Sequence, residues 1–245
     1  MFSYRRIAAT FALAAIVMVL LTGLAASAQA LSVLPVNILL SPGQRATSLA
    51  VTNQGTSETS IQVRAYAWNQ KDGEDQLTAS DAVVVSPPLA TIAAGATQVV
   101  RLILRQPPQG SEATYRILVD QIPPPAEPGV VHIVLRLSIP IFAQPMTRAL
   151  PHIQFHLERD AEQLYLVGIN DGLHHETIRN IVLSTSDGRK LKEDFSASPY
   201  VLAGATRRWH LTAQDSLPLP SEPLRLTAHG DAGAIEQQVP VAAKL

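Results

Sequence analysis

The sequence predicts an all-β protein, with two immunoglobulin-like β-sandwich domains joined by a short hinge. Three observations carry this. Short apolar or alternating runs recur along the chain, each closed by Gly, Pro, Asn or Asp. Proline is frequent, at 18 residues, and no apolar period near 3.6 lasts long enough for a helix. The length beyond residue 30 suits two domains of about 100 residues better than one.

The elements follow in order. Residues 1–30 read as a signal peptide: Arg5-Arg6, an apolar run from Ile7 to Leu21, then small residues from Ala25 to Ala30. The run is short for a membrane span of about 20 residues. Cleavage after "AQA" is expected, and no membrane insertion of the mature chain. The first domain is expected over 31–145. Its seven strand candidates are "LSVLPVNILL", "ATSLAVTN", "SIQVRAYAWNQ", "AVVVSPP", "TQVVRLILR", "ATYRILVDQI" and "VVHIVLRLSIPIF". "AQPMTRALP" reads as the hinge. Over 146–245 come "HIQFHLE", "QLYLVGIN", "TIRNIVLST", "GRKLKED", "TRRWHLT", "LRLTAHG" and "IEQQVPV", a second and smaller sandwich.

Composition removes several function classes. With no cysteine, an exported chain is not a disulfide-stapled toxin or growth-factor scaffold. A net charge of −1 invites neither nucleic acid nor an anionic membrane. No catalytic residue is assigned. GxSxG, HExxH and P-loop patterns are absent, and a cysteine nucleophile is impossible. "KDGED" reads as a polar hairpin turn. His152 and His156 on a strand stand about 13 Å apart, too far for one ion, and His174-His175 reads as a turn pair. No metal and no cofactor is expected.

The seventh strand candidate poses the functional question. Val131, Ile133, Leu135, Leu137 and Ile139 fall on one face at period two. Pro140 cannot donate to a ladder, which places the strand at a sheet edge. Periodicity alone favours the core face of an ordinary sandwich strand.

The stretch "VVVSPPLATIAAGATQVVRLIL", followed by "YRILVDQIPP", a proline-rich loop and "IPIFAQP", resembles the PapD-like periplasmic chaperones of chaperone–usher pilus systems. The likeness is strongest to the archaic, Csu-like branch. It implies an L-shaped pair of immunoglobulin-like domains in the periplasm, with pilin subunits and an outer-membrane usher as partners. It also implies donor-strand complementation: Val131, Ile133, Leu135, Leu137 and Ile139 fill the groove of a pilin that lacks its last strand. Self-association through the same edge is implied for the free protein. The better-known branch grips the pilin carboxylate with a basic pair; the matching positions, near Asn37-Ile38 and at Pro140, are not basic here. Arg116 is therefore the first anchor candidate, followed by Arg101 and Arg136, since arginine binds a carboxylate bidentately. The family's acid–base–acid interdomain cluster would fall on Gln121, Gln144 and Asp231. Two rival readings remain from the residues themselves. A paired-sandwich adhesion or carbohydrate-binding module would need aromatic platforms, and an exported hydrolase would need an acid–base constellation.

Overall fold

The computed structural model describes residues 31–125, 129, 133–160, 163–193, 198–213 and 222–242, and every regular element among them is a strand. The expected signal peptide and Val131 lie outside the described residues.

The first half contains β1 (Leu31–Leu34), β2 (Ile38–Leu40), β3 (Ala46–Asn53), β4 (Thr59–Lys71), β5 (Glu74–Ala79), β6 (Val83–Ser86), β7 (Leu89–Ile92), β8 (Thr97–Leu104), β9 (Ala113–Ile122) and β10 (Arg136–Ala143). They form two layers. One runs β1-β3-β8-β6; the other runs β2-β10-β9-β4-β5, with β7 also pairing β4. Alternation builds the core between them. In β8, Val100, Leu102 and Leu104 are buried while Val99, Arg101 and Ile103 face out. The opposite layer answers with Ile61, Val63, Ile117, Val119, Ile139 and Ile141.

Two sequence expectations need correction here. "LSVLPVNILL" is two strands, because Pro35 cannot continue a ladder and the chain changes layers there. β10 starts at Arg136, later than the alternation suggests.

The second half contains β11 (Ile153–Asp160), β12 (Gln163–Asn170), β13 (Glu176–Thr177), β14 (Arg179–Ser184), β15 (Lys190–Glu193), β16 (Tyr200–Val201), β17 (Thr206–Ala213), β18 (Leu224–Gly230), β19 (Gly233–Val239) and β20 (Val241–Ala242). β13 and β16 pair with each other; the rest run β19-β18-β14-β15-β17-β12-β11-β20. The two ends of that order, β19 and β20, are separated in sequence by Pro240 alone. The sheet must therefore curl through a full turn, and its inner face closes on Trp209, Leu157, Leu166, Leu183 and Leu226.

A third, smaller cluster joins the halves: Trp68 and Phe142 from the first meet Leu202, Ala205 and Tyr200 from the second. The β4–β5 hairpin reaches across beside it. Its turn, Asp72-Gly73, has positive φ at both residues (55° and 83°), as a two-residue type I′ turn requires. Gln70 Nε2 donates to the Tyr200 carbonyl at 2.8 Å, and Leu202 N–H donates to Gln70 Oε1 at 3.0 Å. Arg207 pairs with Asp75 at 3.2 Å.

Candidate functional site

β10 lies between β9 and β2, but unequally. Every residue from Arg136 to Ala143 pairs antiparallel with β9, from Asp120 to Ala113. β2 covers only Ile141, Phe142 and Ala143, in parallel. Among the described residues, Arg136–Pro140 has no strand on its outer side. Pro140 thus sits where its missing N–H spoils no ladder.

The odd-numbered side chains change environment along this strand. Ile141 and Ile139 are core, at 0% and 3% exposure. Leu137 packs partly against that core, Leu135 is half-buried, and Ile133 is 86% exposed. Ile139 therefore belongs to the domain's own interior, since its place in the ladder lies over Ile117. Among the described odd-numbered residues, the side chains free to meet another molecule are Ile133, Leu135 and part of Leu137. The segment before β10 is tethered at Leu135, whose carbonyl accepts from Gln121 N–H at 2.9 Å. Asp120 accepts from Arg136 and, at 2.6 Å, from Arg64. Burial raises the Asp120 carboxyl, yet the bonds from the two arginines overcome this and hold it below the usual carboxylate range.

The three arginine candidates separate. Arg101 is exposed on β8, in the layer opposite β10. Arg136 is at the edge but engaged by Asp120. Arg116 stands on β9 opposite Pro140, with only 13% of its side chain exposed. Its guanidinium lies 3.7 Å from the centre of the Trp68 ring and 5.7 Å from that of Tyr200. Burial lowers it from the ordinary arginine range, countered by Asp75, whose carboxylate is 3.9 Å away. A planar cation is held where the edge strand meets the junction of the two halves.

Residues 30–149 match the family model described as the pili and flagellar-assembly chaperone, PapD N-terminal domain. The chain belongs to the PapD-like family of pilus chaperones. No curated protein sequence matches it significantly. Among solved structures, the chaperone resembles a chain of the CsuC–CsuE chaperone–tip adhesion subunit pre-assembly complex from archaic chaperone–usher Csu pili of Acinetobacter baumannii. That match has 22% identity and a TM-score of 0.66, covering 87% of this chain and 100% of that one. A chain of the Salmonella enterica complex of SafA pilin with the SafB chaperone matches at 13% identity and a TM-score of 0.60, covering 88% and 99%. At these identities the likeness speaks for the fold. The family is periplasmic, which implies export, and it is a family of chaperones rather than enzymes.

The interdomain cluster differs from the sequence expectation. Gln121 bonds to Thr59 and Leu135 within the first domain, and Asp231 bonds to Thr177 and pairs with Arg179 in the second. Besides Asp75, which pairs with Arg207, the junction holds a second acid, Glu112, which sequence reasoning missed. Its side chain is fully buried against His174 and His175. Gly172 makes this approach possible: a Cβ there would meet the His152 nitrogen and the Leu150 oxygen at 2.5 Å. Only a glycine lets the turn carrying the histidines lie against the hinge.

Proposed function

We propose that the chaperone binds pilin subunits by lending them the edge of β10 and passes them to an outer-membrane usher. The observation that carries this is the uncovered outer side of Arg136–Pro140, continued by the exposed Ile133. A pilin lacking its last strand has unpaired backbone groups beside an apolar groove, which aggregates if left open. Strand addition satisfies both, through main-chain hydrogen bonds and alternate side chains; chaperone–pilin complementation is an established instance. In this reading Val131, Ile133, Leu135 and Leu137 enter the groove, and Ile139 supports them from the chaperone's own core. Arg116, oriented by Trp68, takes the pilin's terminal carboxylate. Residues 1–30 are the cleaved export signal, and the functional domains are 31–145 and 146–245. The matched Csu chain makes the archaic branch the proposed lineage.

The test is co-expression of the chaperone with a pilin subunit that lacks its final strand, followed by hydrogen exchange on the purified material. The expected result is a one-to-one complex with residues 133–140 protected relative to the free chaperone. A complex in which 133–140 exchange unchanged would refute the edge as the donor.

A further inference from the structure

Glu112 enters the junction from the first domain, and His174 and His175 from the second. Each brings one potential ligand atom, and the three atoms lie within 4.8 Å of one another. The Glu112 side chain has no exposure, His175 has 8% and His174 has 21%. Glu112 Oε2 is well served: the His175 backbone N–H lies at 3.0 Å and His175 Nδ1 at 2.6 Å. Glu112 Oε1 is not. It is buried and accepts no hydrogen bond among the described residues, although His174 Nε2 is only 3.2 Å away.

The tautomer of His174 explains the unmet oxygen. His174 Nδ1 lies 2.7 Å from the His175 carbonyl oxygen, which can only accept, so the ring proton belongs on Nδ1. Nε2 then presents a lone pair. A carboxylate lone pair and an imidazole lone pair thus converge, an arrangement that a cation between them would satisfy. Donation of the distal ring N–H to a backbone carbonyl is also how metal-binding histidines are usually oriented.

We propose that Glu112, His174 and His175 form a divalent-metal site, suited to zinc, that ties the two domains together. Zinc bonds of about 2.0–2.2 Å in tetrahedral geometry set neighbouring ligand atoms roughly 3.3–3.5 Å apart, close to the 3.2 Å between Glu112 Oε1 and His174 Nε2. Two imidazoles and one carboxylate are a known zinc donor set with a fourth position left for water. That position has a route to solvent, because His174 borders a hinge cavity of about 370 Å³ lined also by Gln144, Met146 and Arg148. On metal entry the His175 Nδ1 proton leaves to solvent and that nitrogen becomes a ligand. The His175 backbone N–H keeps Glu112 Oε2 in place. The Gln144 amide, which donates a long bond of 3.4 Å to the His174 Nε2 lone pair, would give up that nitrogen to the metal and bond the metal-bound water instead.

The experiment uses the full mature chain, stripped with a chelator and titrated with zinc by calorimetry and with cobalt by visible absorption. One zinc per chain, a raised melting temperature and the d–d bands of a four-coordinate cobalt site are expected. Glu112→Gln and His174→Asn should each raise the zinc Kd by about 100-fold or more, while the doubly substituted H152N/H156N chain should titrate like the wild type. Absence of saturable zinc and cobalt binding by the wild type would overturn the proposal, leaving a proton as the cation shared by the pair. Binding that survives in His174→Asn but falls in the H152N/H156N chain would overturn it equally, placing the ion on surface histidines. If Glu112→Gln does not fold, the wild-type cobalt spectrum and His174→Asn, at the cavity wall, still decide.

Discussion

Replacing Ile133 with asparagine separates a lent strand from an ordinary core strand. In the free chaperone Ile133 is 86% exposed, so only about a seventh of its side chain is covered. Its loss removes less than about 0.5 kcal/mol of apolar burial, and the melting temperature should hardly move. In a pilin groove the same side chain, fully covered, contributes roughly 1.5–3 kcal/mol. A partnerless amide in its place adds a penalty of about 1–3 kcal/mol. The sum, about 2.5–6 kcal/mol, corresponds to about two to four powers of ten in the Kd for a pilin subunit. Ile139→Asn is the internal control: at 3% exposure it should unfold the free domain, with a loss of about 3–5 kcal/mol. Thermal melting and pilin capture, measured side by side on the two variants, give the answer. Normal capture by Ile133→Asn, or a melting loss equal to that of Ile139→Asn, would refute the reasoning.

Other consequences can be checked as directly. Arg116→Ala should leave the chaperone folded but reduce pilin recovery by several kcal/mol of binding, since a desolvated carboxylate would lose its partner; unchanged recovery in a pull-down would remove Arg116 as the anchor. Asp120 titrates below its unfolded value of about 3.9, so its contribution is fully present above that pH and fades as pH falls through the folded value. Urea melts should therefore show wild type more stable than Asp120→Asn by about 1 kcal/mol near neutral pH, with the gap closing under acid; a gap that widens under acid would contradict this. N-terminal sequencing of periplasmic protein should begin at Leu31 or a close neighbour, and a product retaining Met1 would contradict the signal assignment.

The layers of the fold were legible because period two is local: burial follows the alternation of the sequence throughout β8 and in β10 as far as Ile139. Pro140 correctly marked an edge. The point along β10 where the odd face leaves the core was not legible, because that depends on how far distant parts of the domain cover that face. The interdomain contacts were hidden for a related reason. Trp68 lies on the outward face of β4, and nothing local announces that a second domain covers it. Glu112 meets His175 across a separation of 63 residues, with no periodic or motif signal linking them. Family spacing pointed instead to Gln121, near the far end of β9, the strand that starts one residue after Glu112.

The short parallel pairing of β2 with β10 sets a boundary for any visiting strand. Because β2 already occupies the flank of Ile141–Ala143, a guest cannot advance beyond Pro140 without evicting part of the host's own sheet. Pro140 itself offers no N–H, so the final step before the barrier is poorer in hydrogen bonds. From Ile133 to Pro140 the berth is about 23 Å long at the usual rise of a strand. If a pilin strand pairs with this edge as proposed, the β2 pairing would act as a stop, fixing how far the subunit can slide and hence which of its residues meets each side chain of the edge.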